Sequence, residues 1–156
     1  IASLSLPFIL NPPDFIASYQ LQPQTTGYKL ELDTLYTSTD ILKPSIDLRK
    51  GKHIIAFMSL TCKHCRIAAY KMHVMKKQDP DIPFYFILNG DKENLVPFFE
   101  ETKTSNIPYI LLLGPRFVSL AGYNMPSIVF VNNSVVEQKV NYININLNGI
   151  NEWLKK

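Results

Sequence analysis

Cys62 and Cys65 are the only cysteines of the sequence, and they stand three apart in the run S-L-T-C-K-H-C-R at 59–66, with Lys63, His64 and Arg66 around them. Two thiols at that spacing support three kinds of chemistry. As a structural staple, a 62–65 bridge closes a very small loop, which restricts the unfolded chain far less than a long loop does. As a metal site, C-x-x-C is half of a zinc-binding set and needs two further Cys or His ligands at matching spacing. The sequence offers His53, His64 and His73 for that purpose, and Met72 and Met75 as soft ligands for copper(I). Methionines at helical spacing are more often core filling. As a redox pair, the cysteines need a setting that makes one a thiolate nucleophile and keeps the other within reach of it.

The flanking sequence supplies that setting. H-I-I-A-F-M-S at 53–59 is a short continuous apolar run, the pattern of a strand covered on both faces. Residues 63–77 read as a helix with Ile67, Tyr70, Val74 and Met75 facing inward. Cys62 then falls at a helix N-terminus, where unpaired N–H groups and the helix dipole favour a thiolate, and Lys63, His64 and Arg66 add positive potential. Cys65 follows one turn later. A strand, a C-x-x-C and a helix in that order make the motif specific.

The other elements form an α/β pattern around this unit. Residues 11–28, rich in Pro, Gln and Thr, read as a lead-in loop, and Y-K-L-E-L-D-T-L-Y at 28–36 alternates with period two, as a half-buried edge strand does. Pro83 opens a buried-strand run, P-F-Y-F-I-L, that Asn89-Gly90 closes. Asp91 can cap a helix, with Pro97 requiring a kink or a late start. Y-I-L-L-L at 109–113 fits either a strand or a buried helix turn and ends at Gly114-Pro115. Residues 127–131 and 135–140 read as a hairpin across Asn132-Asn133-Ser134. Asn146 can cap a last helix in which Leu147, Ile150, Trp153 and Leu154 share one face.

Composition narrows the function classes. A length of 156 residues suits one domain, and 46% hydrophobic against 19% charged residues is a folded composition rather than a disordered one. The net charge of +3 is spread over short basic pairs with no long stripe, which argues against nucleic acid. No run reaches the roughly 18 apolar residues of a membrane span. The opening I-A-S-L-S-L-P-F-I-L lacks an initiator Met and the basic start of a signal peptide, so it reads as a trimmed piece of something longer. Two expectations stand for it: an edge-packed apolar arm, or the emerging end of a membrane anchor.

Met125-Pro126 directly ahead of the strand S-I-V-F-V completes a set of features that resembles the thioredoxin-like superfamily, over residues 50–156 in element order. The run G-K-H-I-I-A-F-M-S-L-T-C-K-H-C-R looks like the extracytoplasmic, TlpA-like branch of thiol–disulfide oxidoreductases. The resemblance implies that Cys62 is the attacking thiol, Cys65 the resolving thiol, and Pro126 a cis-proline facing them. Met125 would then offer backbone groups to an extended substrate, with Thr61, Lys63 and His64 as tuning positions. The sequence departs from the pattern in four places. Thr61 replaces the usual aromatic before the first cysteine. Ala56 and Ala68 stand where thioredoxin and some TlpA-like reductases carry an acid, so proton transfer at Cys65 must use water or another group. His64 stands where TlpA-like reductases usually carry Pro, and there it resembles the disulfide-oxidase branch. An imidazole near the Cys62 sulfur stabilises the thiolate, and so makes the disulfide more oxidising. Peroxiredoxin chemistry fits less well, because Ile55 stands where its motif requires Pro, although Ser59 suits the hydroxyl position.

The expectation is therefore one thioredoxin-like α/β domain at 28–156, with a central mixed sheet flanked by helices and an extra strand from an N-terminal extension, preceded by an arm at 1–27. Its expected activity is thiol–disulfide exchange with protein or peptide substrates, without cofactor, metal or nucleic acid. A membrane-embedded redox partner and an extracytoplasmic, membrane-tethered location complete it. The alternative is a non-catalytic binding module, or one handling copper or zinc, on the same fold.

Overall fold

The apolar run at 53–59 occupies the centre of the protein. In the computed structural model, which describes residues 26–39 and 41–156, it forms strand β1 (Lys52–Ser59), buried without interruption from Ile54 to Met58. The other strands are β2 (Phe84–Asn89), β3 (Tyr109–Leu111), β4 (Ser127–Asn132) and β5 (Val135–Val140), in the order β3-β2-β1-β4-β5. The helices are α1 (Thr34–Thr37), α2 (Lys63–Gln78), α3 (Leu95–Thr102), α4 (Pro115–Ala121) and α5 (Leu147–Lys155). β1 pairs parallel with β2 and antiparallel with β4, so the sheet is mixed. The arm expected at 1–27 lies almost wholly outside the described residues.

Side chains alternate across a strand, and both faces of this sheet are covered. Ile54, Ala56 and Met58 pack with Phe86 and Phe130 against α2, Phe98 of α3, and Ile150 and Trp153 of α5. Ile55 and Phe57 face the other way, against Leu32, Leu35 and Leu48 and against Phe117 of α4. Trp153 anchors the last helix: its ring lies 5.0 Å from that of Phe130, and its Nε1–H donates to Glu137 at 2.9 Å. The Lys52 ammonium donates to the Trp153 carbonyl at 2.8 Å, a cation on the orphan carbonyls of a helix C-terminus. Asn146 caps the start of α5 by accepting from Gly149 N–H at 2.8 Å.

Three elements differ from the sequence reading. Residues 28–36 do not form the expected strand. Lys29 makes one antiparallel bridge to Val135, with Gly27 N–H donating to Val136 O, Val136 N–H to Tyr28 O and Leu30 N–H to Ser134 O, and the chain then turns into α1. The reason is that Leu30, Leu32 and Leu35 all enter one core, and a straight strand cannot bury positions 32 and 35 on the same face. In α2 the inward face is Cys65, Ala68, Ala69, Met72 and Met75, while Ile67, Tyr70 and Val74 are exposed. The small alanines let the helix axis approach the sheet, so bulk was a misleading guide to the buried side. Gly114-Pro115 does not merely end the preceding run: it opens helix α4, with Pro115 at the first helical position, where its missing N–H costs nothing. Residues 109–111 resolve as strand, and α3 starts late, after a 3₁₀ turn at Lys92–Asn94, which places Pro97 in its first turn where no N–H partner is lost.

Candidate active site

The end of β1 delivers the first cysteine. Leu60 N–H donates to Asn89 O at 2.9 Å, continuing the parallel ladder one step, and Cys62 N–H then donates to Ser59 O at 3.2 Å to turn the chain. Gly90, just after β2, lies close against Leu60 of this segment. Its φ is +141°, and a Cβ there would stand 3.1 Å from the Leu60 Cβ. Gly90→Ala is therefore expected to destabilise the fold by about 1–3 kcal/mol through a strained backbone and a crowded Leu60. Chemical denaturation measures it, and a loss below a few tenths of a kcal/mol would contradict the reading.

Cys62 is the N-cap of α2, in extended backbone, and its sulfur accepts the Cys65 N–H at 3.3 Å. That is the place of a capping oxygen, taken by a thiol. Cys62 is half-buried and Cys65 fully buried, and both thiols are free. Burial pushes the Cys65 thiol far up, and its hydrogen bond with Cys62 adds to that; Ser59 backbone and Arg66 oppose it more weakly. Cys65 thus keeps its proton at neutral pH. Ala56 and Ala68 are fully buried, so at those two positions the site is walled by methyl groups. Arg66 is the cation that acts on Cys65; its Nη1 pairs with Glu101 of α3 at 3.1 Å, while its Nε is buried with no hydrogen-bond partner among the described residues.

The raised Cys65 thiol has a consequence for stability. The unfolded chain loses this proton near the ordinary thiol value of about 8.5, whereas the folded chain holds it well above that. Above that pH the unfolded state binds fewer protons, so the stability of the reduced protein should fall by up to about 1.4 kcal/mol per pH unit from this group. Cys65→Ala removes that component of the slope. Denaturation of both reduced proteins between pH 7 and 10 is the check, and equal slopes would contradict it.

The remaining candidates gather at the same end of the sheet. Thr61, Lys63 and His64 are exposed on the dithiol turn. The β1–β4 ladder stops at Phe57 opposite Ser127, so Met125 and Pro126 continue alongside the turn that leads to Cys62. The Met125–Pro126 peptide is cis. Met125 and Cys62 both pack against the buried cluster that contains Cys65. Two contacts were not legible beforehand: the Arg66–Glu101 pair, and a stack of the His64 ring on Tyr142. Tyr142 carries no motif, and only the fold brings the segment after β5 to α2. No group of three His, Cys, Asp or Glu side chains able to hold a metal ion forms among the described residues. Met72 and Met75 are core residues. Among the described residues, no helix is long and apolar enough to cross a membrane.

Compared by sequence, the chain matches no protein-family model and no curated protein. Compared by structure, it is similar to the thioredoxin domain of a thiol-disulfide oxidoreductase from Bacteroides vulgatus, with a TM-score of 0.60 and 18% identity over 85% of this chain and 99% of that one. A secreted Mycobacterium tuberculosis disulfide oxidoreductase, described as homologous to E. coli DsbE, aligns with a TM-score of 0.54 and 14% identity over 67% of this chain and 81% of its own. StoA from Bacillus subtilis aligns with a TM-score of 0.52 and 15% identity over 67% of this chain and 83% of its own. The fold is thioredoxin-like.

Proposed function

We propose, from a thioredoxin-like fold with a dithiol at the N-terminus of its first long helix, that this chain is a thiol–disulfide oxidoreductase acting on polypeptide thiols and disulfides through residues 28–156. One observation carries the reading: a half-buried Cys62 whose sulfur caps α2 and accepts the N–H of a fully buried, protonated Cys65. The two thiols are unequal in the way that a two-step exchange needs.

In the reducing direction, the Cys62 thiolate attacks one sulfur of a substrate disulfide. A Cys62–substrate mixed disulfide forms and one substrate thiolate leaves. Cys65 then gives up its proton through water, and its sulfur attacks the Cys62 sulfur. The Cys62–Cys65 disulfide closes, the second substrate thiolate departs, and two electrons have passed to the substrate. The oxidising direction is the reverse of each step. Arg66 favours the transient Cys65 thiolate by its charge, at positions where Ala56 and Ala68 supply no acid. Met125, next to the turn, offers backbone groups to an extended substrate, much as an added strand would pair. Pro126 follows it on the same edge, and Thr61, Lys63 and His64, exposed on the dithiol turn, are the positions assigned to tuning Cys62.

We place the activity outside the cytoplasm, where disulfides form and persist. The secreted description of the mycobacterial neighbour supports that placement. The test is catalysis of exchange between glutathione and a disulfide-bearing polypeptide. The wild-type chain should accelerate it well above the uncatalysed rate; a rate equal to buffer would sink the proposal.

A further inference from the structure

The loop after β5 grips α2 at two levels. The His64 ring stacks on Tyr142 with centroids 4.8 Å and planes 10° apart. Two helical turns further on, Lys71 Nζ donates to the carbonyls of Tyr142 at 2.7 Å and Ile143 at 3.2 Å. The loop is itself stiff: Asn141 Oδ1 accepts the N–H groups of Ile143 at 2.9 Å and Asn144 at 2.7 Å, and Ile145 is buried. Tyr142 also packs against the buried cluster that contains Cys65.

We propose that Tyr142 is a positioning residue that acts through His64, holding the imidazole at the first turn of α2 and thereby setting the redox balance of the Cys62–Cys65 pair. The proposal rests on the oxidoreductase reading above. His64 is exposed and two residues past Cys62, so without a partner its ring would move among several rotamers in water. Stacking confines it, and a confined ring keeps its polar N–H groups and any charge at a fixed place beside the helix start. Interaction with a Cys62 thiolate favours the reduced pair and makes the disulfide more oxidising. Releasing the ring should weaken that preference and make the pair easier to oxidise.

The experiment equilibrates the full chain with glutathione buffers and reads the fraction of Cys62–Cys65 disulfide by mass after alkylation. The proteins are wild type, Tyr142→Ala, Tyr142→Phe, His64→Ala and the double variant His64→Ala/Tyr142→Ala. Tyr142→Ala is expected to shift the equilibrium about threefold to tenfold toward the disulfide, a tenfold change being about 30 mV for a two-electron couple. Tyr142→Phe, which keeps the ring, should leave it unchanged. His64→Ala should shift it in the same direction, and adding Tyr142→Ala to it should change nothing further. An unmoved equilibrium in Tyr142→Ala overturns the proposal, as does a Tyr142→Ala effect that persists in full without His64, or a Phe variant as displaced as the Ala one. Should Tyr142→Ala fail to fold, Lys71→Met loosens the loop without touching either ring: a smaller shift in the same direction supports the proposal, and none overturns it. A wild-type chain that forms no Cys62–Cys65 disulfide at any glutathione ratio defeats the oxidoreductase reading itself, an outcome distinct from a disulfide whose equilibrium Tyr142 does not move.

Discussion

Cys65→Ser should accumulate covalent adducts with disulfide-bearing polypeptides, while Cys62→Ser should form none. The expectation follows from the division between the two sulfurs. Cys62 caps α2 and is accessible, so it meets the substrate and forms the mixed disulfide. Cys65 is buried and holds its proton, so it cannot make the first attack but lies one turn away to make the second. Removing it stops the reaction after the first step. Turnover should drop to the uncatalysed background in both variants, so activity alone cannot separate them; non-reducing gels and intact mass can. Alkylation of the wild-type dithiol at neutral pH gives a parallel readout, with Cys62 modified long before Cys65. Adducts on Cys62→Ser and none on Cys65→Ser would reverse the assignment.

The largest expected effect on stability is at Trp153. Trp153→Ala removes a fully buried indole that packs on Phe130 and holds α5 against the face of the sheet carrying α2. A large-to-small change of this kind costs about 3–5 kcal/mol. For a domain of this size the melting temperature should fall by roughly 10 °C. The same variant removes the indole donor to Glu137, an exposed residue whose carboxylate then meets water, so the lost packing dominates. Trp153→Phe separates the two contributions: it keeps most of the packing, and should cost about 1–2 kcal/mol for the lost hydrogen bond and volume. A Trp153→Ala protein that melts within about 2 °C of wild type would show that α5 is dispensable to the core, contrary to the packing.

How much of this was legible in the sequence depends on the range of the interaction. The continuous apolar runs at β1 and β2 have the pattern of strands with both faces covered, and the two cysteines directly follow the first of them, so the centre of the fold and the dithiol were readable. Asn146 was readable for the same local reason, since a cap is decided within three residues. The inward face of α2 was not. Hydropathy assigns Ile67, Tyr70 and Val74 to the core, but the distance between helix and sheet decides for Ala68 and Ala69, and that distance is a property of the assembled layers. The alternation at 28–36 likewise matched a strand until Leu35 was needed on the same side as Leu32. Within the site, residues on the C-x-x-C turn were found by sequence, whereas Glu101 and Tyr142 come from separate elements and carry no pattern of their own.

The short pairing of residues 27–30 with the start of β5 has a further meaning. β5 is one margin of the sheet, and Gly27, Tyr28 and Leu30 occupy main-chain groups at its start that would otherwise be free. At the opposite margin β3 is only three residues long and is followed at once by the Gly114-Pro115 turn into α4. Unpaired strand margins act as templates on which other chains add and aggregate. On the proposed function, this protein meets incompletely folded chains whose own strands are unsatisfied. One margin covered at its start and one curtailed margin shorten, among the described residues, the strand edge on which such chains could add, and so favour contact beside Cys62, where it ends in exchange and release.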